Sequence, residues 1–113
     1  MHELSIVMSI IDIAESHARK AGSHAIEEVE LDIGELSGVE MSSFDFAWQQ
    51  ATRHSLLEGA RRQVNRIPGK ARCMDCSADF NLAQLYEPCP VCGGHLLNIV
   101  SGRELRVRSL IVV

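Results

Sequence analysis

Two groups of residues in this chain have the types and spacing to bind metal. Cys73-Met-Asp-Cys76 and Cys89-Pro-Val-Cys92 form two Cys-x-x-Cys pairs separated by twelve residues. Each pair fits a tight turn that aims two thiolates at one point, and two such knuckles complete a tetrahedral Zn²⁺ site with each sulfur about 2.3 Å from the metal. Gly93-Gly94 after the second pair suits a turn that needs positive backbone dihedrals. A redox Cys-x-x-Cys needs only one pair and usually a surrounding βαβ fold, and paired disulfides fit a reducing compartment poorly. Four thiolates fill the coordination sphere, so the expected zinc is structural and supplies folding energy. His95 is either a donor to a metal-bound sulfur, an alternative ligand or a solvated polar residue.

The second group is Met1-His2-Glu3. An α-amine, the amide nitrogen of residue 2 and the ring nitrogen of His2 can chelate one ion, and nitrogen donors in a plane favour Ni²⁺ or Cu²⁺ over tetrahedral Zn²⁺. Taken alone, a histidine at position 2 reads as an ordinary exposed residue, because single motif matches carry a high false-positive risk. His17 and His54 read as helix surface and His24 as turn.

The elements that must position these groups are legible from periodicity. From His2 to Ala21, Leu4, Val7, Met8, Ile11, Ala14 and Ala18 mark one helical face, and Gly22 is a suitable stop. From Ala25 the period changes to two: Val29, Leu31 and Ile33 alternate with Glu28, Glu30 and Asp32, as in a strand with one buried face. Ser42 or Ser43 caps a second predicted helix with Phe44, Ala47, Trp48 and Ala51 on its apolar face. Residues 60–67 read as a weaker strand interrupted by Arg62, Pro68-Gly69 breaks the chain, and Leu105 to Val113 reads as a β-branched strand.

Between Lys70 and Gly102, cysteine, proline and glycine replace large apolar residues, and that segment has little core of its own. The expected fold class is α+β: two helices packed on a small, about three-stranded sheet, with an inserted zinc-ribbon-like module of two knuckles. Residues 1–69 and 101–113 form the α/β domain and residues 70–100 the zinc-binding domain. A chain of 113 residues allows one compact core, and its 46% apolar fraction argues against disorder. The net charge of −4 conceals a division. Residues 1–58 carry eleven acidic and three basic side chains, whereas residues 59–113 carry four and eight. No apolar run spans a membrane and no secretory signal is visible, so a cytoplasmic protein is expected.

With Met-His-Glu-Leu-Ser at the start, Ile-Gly-Glu-Leu-Ser at 33–37, the two cysteine pairs and the closing Gly-Arg-Glu-Leu-Arg-Val-Arg-Ser-Leu, the chain resembles the HypA/HybF family over essentially its whole length. The resemblance implies a nickel metallochaperone for [NiFe]-hydrogenase maturation and not an enzyme. Its Ni²⁺ cargo would be held by His2 with the Met1 amine and groups of Glu3, with Glu40 nearby. Separate Zn²⁺ would be held by Cys73, Cys76, Cys89 and Cys92. The implied partners are a HypB-type GTPase and the hydrogenase large subunit, with no membrane and no nucleic acid, for a monomer or homodimer. Arg61-Arg62 stands where the family pattern is more apolar, and Glu40 where some members carry Asp.

Two rival readings compete with it. Arg61, Arg62, Arg66, Lys70, Arg72, Arg103, Arg106 and Arg108 could make the chain a zinc-ribbon module for nucleic acid or a large assembly. Four thiolates with one Zn²⁺ lower that half's net charge, however, and only Phe80 and Tyr86 are available for stacking. A metal-dependent enzyme would need an open coordination position and a general base, for which only Glu3 and Glu40 are candidates.

Overall fold

In the computed structural model, which describes residues 2–113, the chain alternates helix and strand in its first half and is wholly β in its second. The elements are α1 (His2–Lys20), β1 (Ile26–Gly34), α2 (Met41–Ala51), β2 (Arg61–Ile67), β3 (Lys70–Cys73), β4 (Asp79–Asn81), β5 (Leu97–Ser101) and β6 (Leu105–Val112). They make two three-stranded sheets, ordered β2-β1-β6 and β4-β3-β5. The α+β class with two helices and a knuckle-bearing module holds, and the module carries a sheet of its own that periodicity did not reveal. Its strands of three to five residues are too short to display a period.

The chain forms two compact units. One comprises residues up to Asp32, Val39–Val64 and Arg106–Val113; the other comprises Ile33–Gly38 and Asn65–Leu105. In the first unit, α1 buries Val7, Ile10, Ile11, Ala14 and Ala18 and packs against α2, which buries Phe44, Ala47 and Trp48. The buried stripe is rotated from the expected one: Ile10 is inside, and Met8 is 49% exposed. Gly22, at φ 74°, ends α1, its N–H donating to Arg19 O at 2.9 Å while Ser23 N–H donates to Ala18 O at 2.9 Å.

Strand β1 is central, with Val29, Leu31 and Ile33 fully buried. Gly34 N–H donates to Glu104 O and Val113 N–H to Ala25 O, so β6 runs antiparallel to it. Contacts of Arg61 with Glu28 and of Ile67 with Glu35 progress together along β2, which is therefore parallel to β1 and joined to it by the α2 crossover. His54 lies in the irregular turns after α2 at φ 65°, not in a helix as the sequence suggested.

Arg62 does not disturb its strand. Its guanidinium pairs with Asp45 at 2.8 Å and lies over the Phe44 and Trp48 rings, 5.8 and 5.4 Å from their centroids. The arginine thus takes the place of an apolar side chain by covering two aromatic faces.

In the second unit, β3 pairs antiparallel with β4 (Ala71↔Phe80, Arg72↔Asp79) and with β5 (Arg72↔Asn98, Cys73↔Leu97). A small core of Leu36, Ala71 and Leu82, with Phe80, Leu97 and Ile99 against it, lies inside this unit. Leu36 comes from the segment after β1, so the cysteine-rich stretch obtains its core leucine from the first half of the sequence. Gly34, Gly69 and Gly102 permit the close approach. A Cβ on Gly34 would collide with Gly102 O, and one on Gly69 would collide with Leu82 O and lie 2.8 Å from the Leu36 side chain.

Candidate metal centres

The two cysteine pairs occupy equivalent turns. Cys73 N–H donates to Ala78 O and Ser77 N–H to Cys73 O, both at 2.9 Å. Cys89 N–H donates to Gly94 O and Gly93 N–H to Cys89 O, both at 2.8 Å. The fifth residue of each turn has positive φ: Gly93 at 75°, and Ser77 at 64°, a position where the sequence offered no glycine signal. Gly94 serves close approach rather than dihedral freedom, since a Cβ there would sit 2.9 Å from the Asp75 carboxylate and 3.3 Å from Cys92 Sγ.

These turns converge. The four ligand sulfurs of Cys73, Cys76, Cys89 and Cys92 all lie within 4.8 Å of one another. Cys73 Sγ is 3.6 Å from Cys92 Sγ, and Cys76 Sγ is 3.7 Å from Cys89 Sγ. Sulfurs at tetrahedral positions about 2.3 Å from one Zn²⁺ stand roughly 3.8 Å apart, whereas a disulfide requires about 2.05 Å. The donor set therefore fits a single zinc ion. Cys73 and Cys89 are buried, while Cys76 and Cys92 face solvent.

Electrostatics also favour a dication. The N–H groups of Cys92 and Val91 stabilise the Cys89 thiolate and bring its pKa down to about 7. At Cys92 the Gly94 N–H acts in the same direction, but the neighbouring sulfurs of Cys73, Cys76 and Cys89, with burial, outweigh it and push the pKa up to about 12. One thiolate forms readily and the next ones repel it, a conflict that a shared Zn²⁺ removes. His95 is exposed and is not among the clustered ligands.

At the other end of the sequence, Met1 lies outside the described residues. His2 opens α1 with its side chain 63% exposed, and its Nδ1 is 3.4 Å from Glu3 Oε2. That same oxygen accepts the backbone N–H of Glu40 at 3.2 Å. The Glu40 N–H is the main reason the Glu3 carboxyl titrates below its ordinary range, with a smaller contribution from His2. His2 and Glu3 are thus brought together with Glu40, thirty-seven positions beyond Glu3.

The Glu40 carboxylate points elsewhere. Glu40, at φ −87° and ψ 114°, is the N-cap of α2, and its carboxylate accepts from Ser42 N–H at 3.3 Å and Ser43 N–H at 2.7 Å. Ser42 Oγ donates to both carboxylate oxygens, at 2.8 and 2.7 Å. The helix therefore starts two to three residues earlier than the serine caps read from sequence. These serines serve as donors to the cap instead of acting as the cap themselves. Hydrogen bonds from the Ser42 hydroxyl, the Ser43 N–H and other groups of these two serines depress the Glu40 pKa to about 2.

Similarity to known proteins agrees with this geometry. A protein-family model described as "Hydrogenase/urease nickel incorporation, metallochaperone, hypA" matches residues 1–112. The chain belongs to the HypA family. It is 45% identical over 112 residues to the hydrogenase maturation factor HypA of Parabacteroides distasonis, covering 99% of this chain and 97% of that one. It is 42% identical over 110 residues to its counterpart in Geobacter metallireducens, covering 97% of each. The solution structure of the nickel metallochaperone HypA from Helicobacter pylori matches with TM-score 0.70 and 34% identity over 98% of this chain and 97% of that chain. The HypA family is one of nickel-incorporation metallochaperones for hydrogenase maturation, and this member has four cysteines arranged to bind a metal such as zinc. Among the described residues, no helix is long and apolar enough to cross a membrane.

Proposed function

We propose that this chain carries Ni²⁺ at its amino terminus, held by His2, Glu3 and a free Met1 amine, and delivers it for maturation of [NiFe]-hydrogenase. The observation that carries the proposal is the exposed His2 imidazole beside a carboxylate already fixed at 3.4 Å from its Nδ1. An exposed chelate on the first turn of a helix can exchange ligands without unfolding the body, as a carrier requires. Nickel arrives from a HypB-type GTPase and leaves to the hydrogenase large subunit. Residues 1–69 and 101–113 serve as the nickel-binding domain and residues 70–100 as the zinc-binding domain. Cys73, Cys76, Cys89 and Cys92 are the zinc ligands, and their saturated site is structural. Four free thiols suit a reducing cytoplasm.

The role is that of a carrier and not an enzyme: the family is described as one of metallochaperones, and four thiolates would leave a zinc ion no open position. A nucleic-acid interface is disfavoured because the basic residues are largely engaged within the fold. Arg61 pairs with Glu28, Arg62 with Asp45, Arg72 with Asp79, Arg106 with Asp32, and Arg108 with Glu30 and Asp32.

Equilibrium nickel binding to the untagged protein and to His2→Ala tests the assignment. Loss of tight binding with full zinc content is expected. Unchanged stoichiometry and affinity in His2→Ala would sink it.

A further inference from the structure

We propose that Glu40 is a positioning residue for nickel and not a nickel ligand: by capping α2 with its carboxylate, it fixes its own backbone N–H as the donor that holds Glu3 in place. The proposal rests on the nickel reading above and concerns how this chain builds that site.

Three observations support it. The first is valence. Each oxygen of the Glu40 carboxylate already accepts a first-turn N–H of α2, Oε1 from Ser42 and Oε2 from Ser43, and the single Ser42 hydroxyl proton lies between the two oxygens. A metal ion on either oxygen would compete with a first-turn N–H of α2 that now has a charged acceptor.

The second is direction. The extended backbone of Glu40 sends its N–H to Glu3 Oε2 at 3.2 Å, while its carbonyl accepts the N–H of Phe44 at 2.9 Å. Phe44 is fully buried, so the backbone of one residue, Glu40, connects the Glu3 carboxylate to the packed interior through the start of α2.

The third is residue type. Ser, Thr, Asp and Asn are the usual N-caps because their short side chains reach the first-turn amides. A glutamate here does the same with one more methylene, supported by two serines that both donate to it. The Glu-x-Ser-Ser arrangement is therefore a built cap that fixes the peptide in contact with Glu3.

The test compares two substitutions that both remove the carboxylate. Glu40→Ser keeps a good N-cap, and Glu40→Ala keeps none. With Ni²⁺ as the probe and untagged, zinc-loaded protein, Glu40→Ser should bind within about threefold of wild type. Glu40→Ala should bind roughly tenfold more weakly, the usual cost of removing a group that orients a ligand. X-ray absorption at the nickel edge should show the same donor set in wild type and Glu40→Ser. A second readout needs no nickel: amide exchange at Glu40 should accelerate in Glu40→Ala and in Glu3→Ala, and stay slow at position 40 in Glu40→Ser.

Equal weakening in Glu40→Ser and Glu40→Ala, with an oxygen donor lost from the absorption spectrum, overturns the positioning role and makes Glu40 a ligand. Wild-type affinity in Glu40→Ala overturns it as well. Either result leaves the nickel reading intact so long as His2→Ala loses binding. Unchanged affinity in His2→Ala overturns that reading and the role of Glu40 with it.

Discussion

The carboxylate of Asp32 is completely buried in the middle of β1, and Arg106 Nε of β6 donates to its Oδ2 at 2.9 Å while remaining 61% exposed. Arg108 Nη1 reaches the same oxygen at 3.2 Å. Two snorkelling arginines therefore cover an acid at the centre of the sheet, and Glu28 with Arg61 and Glu30 with Arg108 extend the pattern across the same sheet.

Removing both arginines should cost more than removing an exposed pair. Leaving a buried carboxylate without its cations typically costs about 3–5 kcal/mol, whereas an exposed ion pair contributes roughly 0–1 kcal/mol. Urea denaturation should therefore show Arg106→Ala with Arg108→Ala to be several-fold more damaging than Arg72→Ala, whose partner Asp79 is 63% exposed. Comparable midpoints would mean that the Asp32 cluster adds nothing to stability.

The three glycines around Leu36 should be sharply unequal to glycines in open turns. In Gly34→Ala the new Cβ meets the Gly102 carbonyl, which is backbone and cannot rotate away. Gly38 has φ 82° and open space around its Cβ position, so Gly38→Ala should cost only about 1 kcal/mol in backbone strain. Thermal melts should place Gly34→Ala well below Gly38→Ala, and equal melting temperatures would show that the backbone crossing at Leu36 relaxes freely.

Sequence periodicity made the first unit legible because α1, β1, α2 and β6 are eight residues or longer; the first three bury apolar side chains, and β6 half-buries Val107, Leu110 and Val112. It placed Asp32 on the solvent side by strict alternation, yet the acid is buried, because the arginines that cover it lie seventy-four and seventy-six positions away. The paired signal was present: an Arg-x-Arg in the last strand opposite an acid-rich one. The zinc ligands were legible from spacing, but Leu36 was not, since nothing local shows that a leucine after β1 completes the core formed with Ala71 and Leu82. Glu40 was missed as a cap because serines, which usually occupy that position, follow it two and three residues later.

Zinc removal should unfold the second unit selectively. Its core of Leu36, Ala71 and Leu82 is small, and a bound structural zinc can supply roughly 10 kcal/mol or more to such a module. A strong chelator, or Cys89→Ser, should abolish slow amide exchange at Ala71 and Cys73 in β3. The buried face of α1 at Val7, Ile11 and Ala14 contains no cysteine and should keep its protection. Exchange profiles unchanged by chelation would show that the strands, and not the metal, hold the module together.

The Glu40 cap predicts an acid-side dependence of stability. Its pKa is held down to about 2 from the ordinary 4.5, mainly by the Ser42 hydroxyl and the Ser43 N–H. A depressed carboxyl favours the folded state fully above its unfolded pKa and loses that contribution as pH falls through the folded value. Between pH 5 and pH 2, wild type should therefore lose more stability than Glu40→Gln, which cannot ionise but shares every other titrating group, the zinc thiolates included. The comparison uses denaturant midpoints of the two proteins at each pH, read from the helical signal. Parallel curves across that interval would mean that the carboxylate is as well accommodated by water in the unfolded chain as by the two serines at the start of α2.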